Sequence, residues 1–146
     1  MPPVIEIVLF DLGGVLVEPQ GVLVMREVAG IESDGELWRR WLTCRWVQAF
    51  ESGQCSGVDF AHGVVQDWQL SLSPSDFLER YRTWPVGSFP GAEDLVREVK
   101  RHIPTGCLSN TNALRWKAQA SAWPWIDLFD PRFLSFEMGV LKPDRC

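Results

Sequence analysis

Asp11, Ser109 and Lys142 are the residues of this 146-residue chain whose types and settings best suit them to chemistry. Asp11 sits in Phe10-Asp11-Leu12-Gly13-Gly14-Val15-Leu16, Ser109 in Leu108-Ser109-Asn110-Thr111-Asn112, and Lys142 in Leu141-Lys142-Pro143. Each stretch lies at the end of a predicted strand, so one carboxylate, one hydroxyl and one ammonium are offered together, a set suited to a phosphoryl group. A carboxylate is anionic at neutral pH and attacks phosphorus or an activated carbon. The glycines after Asp11 let backbone N–H groups come close to a ligand. The Ser109 hydroxyl donates to a phosphate oxygen, and the Asn110 backbone N–H joins it if the next helix starts there with its first amides free. Lys142 adds a compact positive charge that neutralises phosphoryl group and nucleophile together.

Ligands of doubly wound α/β folds lie beyond the carboxyl ends of the strands, so the elements must bring the three stretches to one edge of a sheet. The run over 4–10 is apolar and rich in β-branched residues, which predicts a central parallel strand covered on both faces. From residue 19 to 85 the pattern turns helical, with helices predicted over 21–29, 35–50, 58–69 and 75–83. Ser33 and Glu36 form a capping-box pattern, and Ser73 with Pro74 is a strong helix start. Trp38, Trp41, Trp46, Trp68 and Trp84 fall in this stretch. They either pack its helices together or place one or two rings against a sugar-like substrate. Beyond Phe89-Pro90-Gly91 the pattern predicts a helix over 92–101, a strand over 105–108, a helix over 112–122 and a strand over 133–135, with Trp123-Pro124-Trp125 as a surface turn. Alternating strands and helices mean a parallel sheet.

An aspartate strand, a long helical insert, a Leu-Ser-Asn strand and a Lys-Pro pair, in that order, resemble the haloacid dehalogenase-like (HAD) hydrolase superfamily. The match runs from Val4 to Pro143 and is most similar to the branch of sugar-phosphate phosphatases and epoxide hydrolase N-terminal domains. The resemblance implies an α/β fold: a Rossmann-like core over 1–18 and 86–146, with an inserted α-helical cap over 19–85. It implies a phosphatase of small phosphorylated metabolites that forms an aspartyl-phosphate on Asp11. Ser109 and Lys142 complete the catalytic set, and Ser109, Asn110 and Lys142 bind phosphate. It also implies Mg²⁺, held by the Asp11 side chain and the Gly13 backbone carbonyl.

Two departures from the family pattern carry expectations. Phosphatases of the family usually have a second aspartate, the general acid, where this chain has Gly13. Its loss slows leaving-group departure by about 10²–10⁴-fold if nothing replaces it. The sugar-phosphate branch shares this glycine, and an anomeric phosphate leaves more readily than a primary alkoxide. The family also adds an acidic metal ligand from a strand beyond Lys142, whereas this sequence ends at Cys146. Glu137 is a doubtful stand-in. The core is therefore expected to lack its C-terminal strands and to leave the edge of the 4–10 strand unpaired and prone to self-association.

Two other readings follow. A haloacid dehalogenase uses the same aspartate without Mg²⁺, although that branch usually has an aromatic residue in place of Gly13 and an arginine soon after. The chain is alternatively a truncated, impaired or non-enzymatic relative.

A net charge of -5 argues against a nucleic-acid surface, since no Lys/Arg stripe exists to neutralise a phosphate backbone. No segment reads as a membrane span or secretory signal. Cys44, Cys55, Cys107 and Cys146 have neither Cys-x-x-Cys spacing nor nearby histidines, so they read as reduced thiols of a cytoplasmic protein, Cys107 being a buried one. His62 and His102 read as structural or solvent-facing. Serine-hydrolase, Walker and dinucleotide-binding fingerprints are absent.

Overall fold

A computed structural model describes residues 4–144. Its elements run β1 (Val8–Phe10), β2 (Val17–Glu18), α1 (Gln20–Ala29), α2 (Asp34–Leu42), α3 (Arg45–Glu51), α4 (Gly57–Trp68), α5 (Pro74–Arg82), β3 (Gly87–Ser88), α6 (Ala92–Lys100), β4 (Thr105–Ser109) and α7 (Ala113–Ala122). A 3₁₀ turn (Pro124–Leu128), β5 (Arg132–Leu134) and α8 (Ser135–Met138) complete the order. The main sheet is parallel with order β1-β4-β5, and β2 pairs antiparallel with β3 in a separate two-stranded ribbon. The expected α/β class with a parallel core sheet is therefore the one observed.

Two apolar clusters divide the buried side chains. One joins Met25, Leu37, Trp41, Phe60, Phe77, Tyr81 and their neighbours from α1 to α5 and Trp84. The other joins Leu12, Leu16, Val96, Cys107, Ile126, Phe129 and Leu134 around the sheet. In the helical cluster Trp41 meets Trp84 with ring centroids 5.4 Å apart, and Phe50 stacks on Phe60 at 4.6 Å. α3 and α4 approach closely because residue 63 is glycine: a Cβ there would fall inside the Trp46 indole.

Side-chain capping marks the starts of α2, α4, α5 and α7. Ser73 accepts from the Asp76 backbone N–H and Pro74 opens α5, as the sequence predicts. Ser33 accepts from Glu36 N at 3.4 Å without the reciprocal bond, while the full capping box is the unanticipated Ser56–Asp59 pair.

Several boundaries differ from expectation. The helix expected over 35–50 is two helices, because the Thr43 hydroxyl donates to Arg39 O at 2.8 Å and Cys44 turns extended to start α3. The helix expected from residue 112 begins at Ala113, with Asn112 as its cap. Trp123 and Trp125 stack 5.7 Å apart and are buried in the sheet cluster, where a surface turn was expected. Burial of two indoles outweighs the local preference of a proline for exposed turns.

The expected central strand over 4–10 is a three-residue strand at the edge of the sheet, and β4 is central. It is not covered on both faces: Val4 and Ile5 are 79% and 66% exposed, and Leu9 is 43% exposed. Among the described residues only β4 pairs with β1, so an apolar backbone edge stands open. The chain is expected to sediment as a dimer or larger species, and a concentration-independent monomer in analytical ultracentrifugation would contradict this. No described helix is long and apolar enough to cross a membrane.

Candidate active site

Parallel pairing of β1 with β4, Phe10 opposite Cys107, puts the ends of both strands at one edge of the sheet. Asp11 is the first residue past β1, and Ser109 is the last of β4. Leu12 folds the chain back at once, its carbonyl accepting from Val15, Leu16 and Val17 N–H at 3.1, 2.9 and 2.8 Å. Gly14 adopts φ 76°, which glycine takes without steric penalty, and so completes the turn. This tight loop holds Asp11 at the sheet edge, with its Oδ1 accepting from Leu12 N at 2.8 Å.

Lys142 arrives from far along the chain. Its Nζ donates to Asp11 Oδ1 at 2.8 Å and to Leu108 O at 2.9 Å. The lysine is held by the Asn110 side chain, whose Oδ1 accepts from Lys142 N at 2.9 Å and whose Nδ2 donates to Lys142 O at 3.2 Å. Ser135 fixes the same loop from the other side: its Oγ accepts from Thr111 N at 2.8 Å and donates to Thr111 O at 2.9 Å. These two side chains act through the backbone, and motif order gave no sign of either role. Asn110 was expected to contribute a helix-start amide. Instead, three residues separate β4 from α7 and Asn112 is the cap, because its side chain accepts from Arg115 N at 3.1 Å.

Asp11, Gly13, Ser109, Asn110 and Lys142 all line one cavity of about 520 Å³. Its opposite wall comes from the helices: Trp38, Trp41, Glu51, Tyr81 and Trp84. Three of the five tryptophans of the helical stretch thus border the cavity, while Trp41, Trp68 and Trp84 are also packed inside the helical cluster. Tyr81 and Asn112 connect the two walls, Asn112 Nδ2 donating to the Tyr81 hydroxyl at 2.7 Å. Burial, followed by the nearby Glu51 carboxyl, pushes the Tyr81 hydroxyl above its ordinary range. Arg115 donates to Trp84 O at 3.0 Å and Pro85 O at 2.9 Å, tying the segment that leaves α5 to α7.

Neither a family model nor a curated protein matches the sequence. Solved structures do match the fold. A HAD family enzyme of Bacteroides thetaiotaomicron superposes with a TM-score of 0.72 at 23% identity, covering 96% of this chain and 73% of its own. The same enzyme in complex with magnesium and inorganic phosphate gives 0.71 at 21% identity over the same shares. The L-2-haloacid dehalogenase of Xanthobacter autotrophicus, with chloropropionic acid covalently bound, gives 0.62 at 18% identity, covering 96% of this chain and 60% of its own. This chain has the HAD fold.

Magnesium can be tested against the donor set that this HAD fold presents. Asp11 Oδ1 takes both the Leu12 and Lys142 bonds, which leaves Oδ2 for a cation, and Gly13 lines the same cavity with its backbone carbonyl as a second candidate oxygen. Mg²⁺ is often held by one or two carboxylates, with waters and substrate phosphate oxygens filling its octahedron, so the two oxygens fit part of a shell. No cluster of three or more His, Cys, Asp or Glu residues that could hold a metal occurs among the described residues. Glu137 and Asp144 are exposed and do not line the cavity.

The remaining sequence candidates fall outside the site. Cys107 is fully buried in β4, and burial pushes its thiol up to about 11, which makes it a packing residue. His102 is exposed beside Glu98, and His62 lies on α4 away from the cavity lining. Cys44 and Cys55 are free thiols, and Cys146 lies outside the described residues.

Proposed function

We propose that this chain belongs to the HAD hydrolases as a Mg²⁺-dependent phosphatase of small phosphorylated metabolites, with Asp11 as nucleophile. The observation that carries this reading is the 2.8 Å contact between Lys142 Nζ and Asp11 Oδ1, on a cavity that also holds Ser109. The Asp11 carboxylate attacks phosphorus in line and forms an aspartyl-phosphate, which water then hydrolyses. Lys142 neutralises charge as phosphate and carboxylate approach each other, and Ser109 donates to a phosphate oxygen. Asn110 positions Lys142 through its backbone. Mg²⁺ bound at Asp11 and the Gly13 carbonyl would supply further charge neutralisation for the phosphoryl oxygens.

The helical layer over 19–85 serves as the cap that roofs the cavity, and its indoles offer flat apolar faces to a sugar ring. The free thiols suit a reducing compartment, and we place the protein in the cytoplasm.

Phosphate release from α-D-glucose-1-phosphate is expected to exceed release from glucose-6-phosphate and to stop when EDTA is added. Equal or reversed rates would remove the anomeric substrate, and chelator-insensitive turnover would remove the metal. One observation favours a second reading, dehalogenation. Gly13 supplies no acid, and departing halide needs no proton. Halide release from a 2-haloacid without added metal would establish that reaction instead.

A further inference from the structure

We propose that Glu51, the last residue of α3, is the proton donor to the leaving group, supplied from the helical wall of the cavity in place of the side chain missing at Gly13. The inference rests on the phosphatase reading and extends it to a residue that sequence order does not associate with the site. Glu51, carried by α3, lines the same cavity as Asp11, Ser109 and Lys142. The space near Gly13 is open, since a Cβ there would meet nothing within 4 Å. A group reaching in from the opposite wall is therefore not blocked at that position.

Glu51 is built to carry a proton. It is partly buried at the C-terminal end of a helix, where exposed carbonyls disfavour a second negative charge. Burial is the cause that moves its carboxyl, pushing it up to about 7, with no cation or hydrogen bond holding it low. The charged or titratable groups around it are Tyr81 on α5, Arg115 on α7, and Asp11, Glu18 and Lys142 on the sheet side; Glu137 on the adjoining α8 is exposed. A half-buried carboxyl raised by desolvation and placed in a cleft is a functional candidate.

In the first step Asp11 bonds to phosphorus and the bond from phosphorus to the leaving oxygen breaks. Glu51 gives its proton to that oxygen, which departs as a neutral alcohol. In the second step water attacks phosphorus and passes its proton to solvent, from which Glu51 regains the proton that it gave. The bond to Asp11 then breaks, releasing inorganic phosphate and restoring both side chains.

Glu51→Gln keeps the size and hydrogen-bonding capacity of a neutral carboxyl but has no proton to give. Two substrates separate the roles: α-D-glucose-1-phosphate, whose leaving oxygen needs a proton, and para-nitrophenyl phosphate, whose phenolate leaves without one. E51Q is expected to slow the sugar phosphate by about 10²–10⁴-fold and to leave the aryl ester unchanged. Retained aryl-ester turnover also shows that the variant is folded. The wild-type rate on the sugar phosphate should fall as pH rises through about 7, where Glu51 loses its proton, and E51Q should lack that limb. Equal losses on both substrates, or no loss on either, overturn the inference and leave Asp11 chemistry standing. A wild-type chain that hydrolyses only the aryl ester overturns it as well. Inactivity of the wild type on both substrates overturns the phosphatase reading along with it.

Discussion

Replacing Asp11 by Asn is expected to lower phosphate release by at least about 10⁴-fold, since removing a covalent nucleophile leaves only binding and electrostatic stabilisation. The amide matches the carboxylate in shape but is a poor nucleophile and carries no charge to pair with Lys142. The fold should hardly notice the change. Asp11 and Lys142 are 49% and 32% exposed, and exposed ion pairs contribute about 0–1 kcal/mol. Lys142 also keeps its backbone bonds to Asn110 and its bond to Leu108 O. Steady-state phosphate release and a thermal melt on the same preparation check both halves. Undiminished turnover by D11N would end the case for an aspartyl-phosphate. A large drop in melting temperature would show instead that the pair holds the fold together.

Phe60→Ala should destabilise the chain by about 3–5 kcal/mol, the range for deleting a buried aromatic ring from a core. Phe60 is fully buried, with ring centroids 4.6 Å from Phe50, 4.9 Å from Tyr81 and 5.7 Å from Phe77. A cavity left there cannot close easily, because these rings also pack on one another and on Trp41. Against a typical total of about 5–15 kcal/mol, the loss would unfold a large share of the chain or bring it close to that limit. The effect should extend to the site through Tyr81, whose hydroxyl takes the Asn112 hydrogen bond. Denaturant unfolding of wild type and variant measures the change, and a shift below about 1 kcal/mol would mean that the helical cluster repacks freely.

Much of this architecture is legible along the chain because its causes are local. The Ser73-Pro74 start of α5 needs only a hydroxyl within reach of an amide three residues on. The strand over 105–108 and the Asp11 turn likewise follow from short runs of apolar residues and glycines. The open edge of β1 was foreseeable from motif order, although its short length and its exposed Val4 and Ile5 were not. β-strand limits depend on which neighbour supplies hydrogen bonds, and among the described residues β1 has one. The break at Thr43 was missed because a threonine hydroxyl bonding back to Arg39 O leaves the apolar spacing of a helix intact.

At the site, residue types and their order by themselves put an aspartate and a serine at the ends of separate strands, whereas Lys142, expected at the end of a third, follows α8 instead. Parallel pairing then makes the first two neighbours. Tertiary structure alone decided that Lys142 reaches Asp11 across 131 residues of sequence, that the Asn110 side chain grips the lysine backbone, and that Ser135 pins Thr111. It alone also brought Glu51 and Tyr81 to the cavity wall. A side chain's neighbours in sequence fix its local conformation, but its partners across a cleft depend on how two separately packed clusters meet. That relation has no period or spacing to be read from a single chain.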